Sequence, residues 1–445
     1  MSHRRILHAA DIHLDSPLQK LDAYEDAPVD EIREASRRAL QNMTRVAIEE
    51  QVDLVVIAGD LYDGDWPDQN TGLFFVAQAT RLIREGIHVA VIRGNHDAAN
   101  KMTSNLPLPK NPDGSEILLS EKKVDQRILE DLGIAIHGRS YAKRAETGDM
   151  AGEYPQPIGG LFNLALLHTG LSGLEGHDPY APCSPQQLAD KGYDYWALGH
   201  IHQRGEHQID GAAPVVFSGN VQGRHIRESG PKGCILVDID DRNQTTRRFV
   251  PLDVVRFESF EANASDWSHT DELMDAYEDW LSEQLTQVDD RLLVTRVVLS
   301  GDSSLHHQWM REQANLEAGL RAASVTHGHG QVWLERLKVR TTAERSKASA
   351  ERSQAFAEQP QSTVSSTESP SDGPLQSILA VVEQLKTEGG DLEWMNDEIS
   401  PLLKKLPVEF SGDQSLVRLD DQNERHEWID AATAELMARL QGGER

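Results

Sequence analysis

Five separated segments of the chain carry side chains of the kind that hold divalent cations, and each stands at or just past a short apolar run. They are Asp11 with His13, Asp60, Asn95 followed by His96, His168, and His200 with His202. In Asp11-Ile12-His13 and His200-Ile201-His202 an apolar residue separates two ligands, so extended chain would aim both ligands to one side and turn the isoleucine to the core. A carboxylate such as Asp60 can bridge two ions through its two oxygens. Two ions about 3.5–4 Å apart can clamp a phosphodiester and activate water. Glycines at 59, 94 and 199 precede ligand positions, where the chain would have to turn sharply. Mixed His, Asp and Asn ligation suits manganese or iron better than magnesium, which prefers oxygen. A lone histidine after a strand is usually a surface or capping residue. The ordered set of Asp-x-His, Gly-Asp, Gly-Asn-His-Asp, strand-His and Gly-His-x-His is what points to a metal centre.

These residues need a scaffold that brings strand ends together. The runs Ile6 to Ala10, Leu54 to Ala58, His88 to Ile92, Ile134 to His137, Leu164 to His168 and Tyr195 to Leu198 read as buried strands, each followed by Gly, Asp, Asn or His. Amphipathic stretches over Val29 to Glu50 and Thr71 to Glu85 predict helices between them. The alternation is that of a layered α/β domain, in which the carboxyl ends of strands share one edge and gather distant residues there. From about Phe260 to Arg340 the rhythm changes. Asp271 to Leu285 and Leu305 to Ala323 read as helices, Leu292 to Leu299 and Val332 to Arg340 as strands, together a small α/β cap.

The expected organisation is a catalytic domain over 1–258, a cap over 259–340, a flexible linker over 341–374 and a helical tail over 375–445. The linker is rich in Ser, Ala, Glu, Gln and Pro and has too little apolar surface to offset chain entropy. In the tail, Leu375, Ile378, Leu379, Val382 and Leu385 keep helical spacing, as do Ile429, Ala432, Leu436 and Leu440, so two amphipathic helices there need a partner surface.

The chain has 445 residues, 38% hydrophobic and 26% charged, with no apolar run long enough to cross a bilayer. The residues after Met1 lack the apolar stretch of a secretory signal, so a cytoplasmic location is expected. Two cysteines, Cys183 and Cys234, provide neither a disulfide framework nor zinc-finger spacing. The formal net charge of −28 repels nucleic acid at long range, so any nucleic-acid affinity must come from local basic clusters. Arg224, His225, Arg227 and Lys232 form the best such cluster for phosphate oxygens, ahead of Arg139, Lys143 and Arg144. Trp66 could stack on an unpaired base or anchor a loop, and His327 and His329 read as non-ligands.

The ordered ligand set resembles the signature of the calcineurin-like metallophosphoesterases and covers about the first 240 residues. That resemblance implies a four-layer α-β-β-α sandwich holding two divalent ions, most readily manganese, with iron or magnesium possible. It implies Asp11, His13, Asp60 and His202 around one ion and Asp60, Asn95, His168 and His200 around the other, with Asp60 bridging. His96 would lie over the scissile phosphate and protonate the leaving oxygen or stabilise developing charge, and water activated at the metals would be the nucleophile. The stretches from Gly59 (GDLYDGDWPDQNTGLFF), Gly94 (GNHDAANKMT), His177 (HDPYAPCSPQQLADKGYDYWALGHIHQ) and Gly219 (GNVQGRHIRESGPKGC) are similar to SbcD-like DNA repair exonucleases of the YhaO-type branch. This implies DNA as substrate, a coiled-coil SbcC-like ATPase that takes up the C-terminal helices, and a homodimer. One departure stands out: those nucleases have a second histidine three residues after the bridging aspartate, and this chain has Asp63. A phosphatase or cyclic-nucleotide phosphodiesterase, or a scaffold that recruits the ATPase, are the competing readings.

Overall fold

A computed structural model of the chain describes residues 4–16, 28–64, 69–99, 106–171, 180–209, 212–343 and 433. The expected linker from residue 344 onward and the expected tail, together with Trp66, lie outside these residues except for Thr433, which is helical; the first three positions of the expected linker, 341–343, are described, and Thr342 and Ala343 form a strand. The described residues up to 343 belong to one compact unit. Among the described residues no helix is long and apolar enough to cross a membrane.

In chain order the first part comprises β1 (Arg4–Ala9), α1 (Val29–Arg33), α2 (Ala35–Glu49), β2 (Leu54–Ala58), α3 (Asn70–Arg84), β3 (His88–Ile92), β4 (Asp125–Leu129), β5 (Ile134–Gly138) and β6 (Phe162–His168). There follow α4 (Pro185–Ala189), β7 (Tyr195–Gly199), β8 (Gly205–His207), β9 (Val215–Phe217), β10 (Gly233–Ile239) and β11 (Thr245–Pro251). The strands make two sheets, ordered β11-β10-β1-β2-β3 and β4-β5-β6-β7-β9-β8. Within them β1, β2 and β3 run parallel, as do β5, β6, β7 and β9. Buried strands of this kind read as unbroken apolar runs because both faces are covered.

Two faces meet in a shared core. Ile6, Leu54, Val56 and Ile92 of the first sheet pack with Ile136, Leu164, Leu166 and Ala197 of the second. The far side of the first sheet is covered by α2 and α3 through Leu40, Met43, Phe75 and Leu82. The far side of the second is covered by α4 and by loops that place Tyr141 and Tyr154 in the core beside Trp196 of β7. The α-β-β-α order is therefore present, with a thin outer layer on the second side. All six expected strands exist. The expected helix from Val29 to Glu50 is divided at Glu34, where α1 ends and α2 begins.

The cap is built on β12 (Val255–Asn263), α5 (Thr270–Val288), β13 (Leu292–Ser300), β14 (Asp302–Ser303), α6 (His306–Arg311), α7 (Gln313–Gly328), β15 (Val332–Val339) and β16 (Thr342–Ala343). Its main sheet is the parallel trio β12-β13-β15, and α5 and α7 bury Leu273, Tyr277, Leu281 and Leu320 against Leu293, Val297 and Leu337. The stretch expected as one helix from Leu305 to Ala323 is two, broken at Glu312 (φ −112, ψ 22). β12 runs through the expected boundary at 258/259. Its first turn packs Val255 and Phe257 on Ile32, Ala35 and Ile226, so cap and catalytic layer share a small core of their own.

Candidate metal centre

The five candidate segments end on one edge because the strands before them are parallel. Asp11 follows β1, Asp60 follows β2 and Asn95 with His96 follows β3; from the facing sheet His168 ends β6, and His200 and His202 follow β7. The two sheets are tied at this edge by the His168 ring, whose Nδ1 donates to the Ala58 carbonyl at 2.9 Å. A carbonyl only accepts, so Nδ1 carries a proton and Nε2 is the nitrogen turned to the centre. Tyr141 fixes the backbone of the same residue, its hydroxyl donating to the His168 carbonyl at 2.7 Å.

Neither ligand pair is presented by extended chain. Asp11 (φ 51), His13 (φ 45), Asp60 (φ 49) and His200 (φ 102) all occupy positive φ, which L-residues adopt at a cost. The conformation is held by cross-strand hydrogen bonds: Asp11 N–H to the Gly59 carbonyl at 3.0 Å, His13 N–H to the Asp60 carbonyl at 3.0 Å and Leu14 N–H to the Leu61 carbonyl at 2.9 Å. Ile12 is still buried in the core, as its place between two ligands requires. The glycines also divide by cause. Gly59 is needed both for its turn at φ +96 and for room, since a Cβ there would lie 2.4 Å from His168 Nδ1, whereas Gly94 and Gly199 are needed for room alone: a Cβ on Gly94 would lie 2.2 Å from Asp60 Oδ1, and one on Gly199 2.1 Å from the Ala58 carbonyl oxygen.

Asp60 sits in the middle. Its Oδ2 is 3.4 Å from His168 Nε2 and 3.9 Å from His13 Nε2, and its Oδ1 accepts the His96 N–H at 3.0 Å. On one side, Asp11, His13 and His202 bring ligand atoms within 4.8 Å of one another; on the other, Asp11, Asp60 and His168 do. Asn95 joins the second side, its Oδ1 3.0 Å from His168 Nε2. His200 belongs to none of these three-residue groups. Its N–H donates to both oxygens of Asp11 at 3.0 and 3.1 Å, and its ring meets His168 edge-on at 5.3 Å.

The donor set fits a divalent cation. His13 Nε2 and His202 Nε2 face each other at 3.1 Å, and His13 Nδ1 is buried with no partner among the described residues. Fully buried Asp11 and Asp60 lie beside them. Burial pushes the Asp11 carboxyl up, against the pull of His202 and His168. For Asp60, burial acts upward too, yet His168 and His96 hold it well below the usual carboxylate range. His168 is driven down by burial and up by Asp60 and Asp11, to about 9. The carboxylates thus demand positive charge at this point, and the facing imidazole lone pairs supply the donors that a cation would take.

Two carboxylates that carry no ligand signature complete the centre. Glu228 accepts from His202 Nδ1 at 2.7 Å, which fixes Nε2 as the free nitrogen. It is the one acidic residue between Gly219 and Gly233, a signal visible in the sequence though not read as such. Asp63 accepts from His96 Nδ1 at 2.6 Å through one oxygen and from the Ser16 hydroxyl at 2.6 Å through the other. Buried Asp97 takes the N–H groups of Leu61, Tyr62 and Gly94, clamping the Asp60 loop to the Asn95 loop.

The four basic candidates separate. Arg224 reaches the centre, 3.2 Å from Glu228 Oε1 and from His202 Nδ1. Lys232 is only 8% exposed, and its Nζ donates to the His202 carbonyl at 3.3 Å, so it supports a candidate ligand's backbone. His225 (48% side-chain exposure) and Arg227 stand outward. Cys183 and Cys234 are both buried free thiols.

Residues 4–204 match the calcineurin-like phosphoesterase family, and residues 257–342 match the middle domain of metallophosphoesterase YhaO. The chain is 38% identical over 234 residues to the uncharacterized metallophosphoesterase YhaO of Bacillus subtilis, covering 52% of this chain and 57% of that protein. It is 28% identical over 266 residues to the DNA double-strand break repair protein Mre11 of Sulfurisphaera tokodaii, covering 57% and 64%. To Mre11 of Sulfolobus acidocaldarius it is 24% identical over 244 residues, covering 53% and 60%. The chain thus spans less than two thirds of the length of these relatives. With the strand order, the shared edge and the paired Asp and His groups already in place, residues 4–204 are a calcineurin-like phosphoesterase domain, followed by a domain of the kind found in the middle of YhaO.

Proposed function

We propose that the protein is a two-metal DNA exonuclease that hydrolyses phosphodiester bonds in DNA repair, working in the cytoplasm with an SbcC-like coiled-coil ATPase. The observation that carries the phosphodiesterase reading is the meeting of two ligand groups that share Asp11, with Asp60 Oδ2 3.9 Å from His13 Nε2 of one and 3.4 Å from His168 Nε2 of the other. Asp11, His13, Asp60 and His202 would hold one ion, and Asp60, Asn95, His168 and His200 the other. Manganese suits this mixed set best. When bound, the ions supply Lewis-acid charge and lower the pKa of water.

The remaining work falls to the chain. His96 has its Nδ1 on Asp63, so Nε2 is the nitrogen left to donate to the leaving oxygen. Asp60 orders the His96 backbone through Oδ1, and Asp97 keeps the two loops in register. Arg224 at the centre would meet phosphate oxygens first, His225 and Arg227 would do so from further out, and Lys232 supports the His202 backbone. The DNA substrate is suggested by what the Mre11 relatives are named for, and the ATPase partner by the SbcD-like stretches; the expected C-terminal helices would be the docking element. The expected homodimer belongs to the same reading. Asp63 favours a second reading, a phosphatase or cyclic-nucleotide phosphodiesterase, because a carboxylate here replaces the second histidine of the resembling nucleases.

The test uses purified full-length protein, manganese and an end-labelled linear duplex. Progressive shortening that Asp60→Asn and His96→Ala abolish supports the exonuclease. Hydrolysis of small phosphate esters with an intact duplex would move the assignment to the second reading.

A further inference from the structure

The loop between β9 and β10 brings one guanidinium to the centre, and its partners are unusual. Arg224 Nη1 lies 3.5 Å from Asp63 Oδ2, and Nη2 lies 3.2 Å from Glu228 Oε1. The Arg224 N–H donates to Glu228 Oε2 at 2.7 Å, which pins the base of the side chain as well as its tip. Nε is buried and has no partner among the described residues. A guanidinium has five N–H donors in a planar fork, so this one is fixed in place with donors to spare. Asp63 therefore has two cationic clients, His96 through Oδ1 and Arg224 through Oδ2. The His13 ring stands 5.0 Å from that of His96 and 4.9 Å from that of His202, so Arg224 and His96 approach the ligand cluster from adjoining sides.

We infer that Arg224 grips a non-bridging oxygen of the substrate phosphate at the centre, and that Asp63 is its positioning residue. Arg224 then offers the phosphate a cationic donor beside the aspartate that stands where the resembling nucleases carry a second histidine. Burial disfavours the charged guanidinium, but Glu228 and Asp63 more than offset it and keep it protonated. Among the four basic candidates Arg224 alone combines fixed geometry with unused donors at the centre. A guanidinium held by two carboxylates keeps its remaining N–H groups oriented, which suits contact with a phosphate oxygen.

The inference rests on the phosphoesterase reading, and the experiment separates the two. Full-length protein loaded with manganese is titrated with inorganic phosphate by calorimetry, bound manganese is quantified, and hydrolysis of bis(4-nitrophenyl) phosphate is followed. Arg224→Gln is expected to weaken phosphate binding by roughly 10- to 100-fold and to raise KM more than it lowers kcat, with manganese content unchanged. Arg224→Lys should recover part of the affinity. Asp63→Asn should weaken phosphate binding less than Arg224→Gln while also lowering kcat, because His96 loses its holder. Unchanged phosphate affinity in metal-replete Arg224→Gln or Arg224→Lys overturns the inference. So does loss of manganese from both variants, which would make Arg224 a support of His202 only. A wild-type protein that binds phosphate through Arg224 yet cleaves no ester would remove the phosphoesterase reading and leave the binding role standing.

Discussion

At the residue scale the centre depends on side chains that touch no candidate metal position. His202 is useful only if its ring is fixed with Nε2 turned to the centre, and Glu228 secures this by accepting the Nδ1–H at 2.7 Å. Glu228 is itself held by Asn220 at 3.0 Å, and although burial pushes its carboxyl up, Arg224 and His202 keep it well below the usual range. Glu228→Gln should leave the fold intact and weaken manganese binding by roughly 10- to 100-fold, as loss of such an orienting carboxylate does. Competition with a fluorescent chelator measures this directly. Equal affinity in variant and wild type would mean that the ring is held by packing alone.

At the element scale the two sheets must stay in register for the ligands to meet. His8, in the middle of β1, is one of the pins: its Nε2 lies 3.2 Å from the Leu198 carbonyl of β7, and its Nδ1 lies 3.1 Å from the Tyr195 hydroxyl. The carbonyl assigns the proton to Nε2, so Nδ1 accepts from tyrosine and the ring is neutral. Burial pushes its pKa down to about 3. A base whose folded pKa is depressed leaves stability complete above the unfolded value near 6.5, and stability falls as pH drops towards the folded value. The loss attributable to His8 amounts to at most roughly 4–5 kcal/mol over that window. Urea unfolding of wild type and His8→Gln between pH 7.5 and 4.5 reads it: the wild-type advantage should shrink as pH falls. A constant difference across the series would show that His8 does not titrate with unfolding.

At the scale of the whole described unit, cap and catalytic layer are joined by a buried ionic pin as well as by apolar packing. Asp253, at the crossing between them, receives Arg256 Nε and Nη2 at 2.8 and 2.9 Å, while Arg291 Nε donates to its carbonyl at 2.8 Å. Gln222, from the loop that carries Arg224, donates to the Val255 carbonyl and accepts from the Val254 N–H, so cap strand β12 and the loop holding His202 are connected through one side chain. Asp253→Ala leaves Arg256 buried without its counter-charge. It should cost about 3–5 kcal/mol in chemical denaturation, more than removal of an exposed pair. A cost under about 1 kcal/mol would mean that water reaches the arginines once the carboxylate is gone.

The sequence by itself determined the strands and the ligand types. Parallel strands buried on both faces leave unbroken apolar runs, and metal chemistry restricts which side chains can follow them, so both were readable in one dimension. It also exposed Asp63 as a departure, but only as a missing histidine. Tertiary structure decided what surrounds those ligands: that Asp63 serves His96 and Arg224, that Glu228 orients His202, that Lys232 faces inward and that Gly94 and Gly199 exist for clearance. None of these leaves a periodic trace, because each contact joins segments tens to more than a hundred residues apart or turns on the direction of one side chain within a loop. The positive-φ backbone at Asp11, His13, Asp60 and His200 was hidden for the same reason. Local preference argues against it, and only hydrogen bonds between neighbouring strand ends hold it in place.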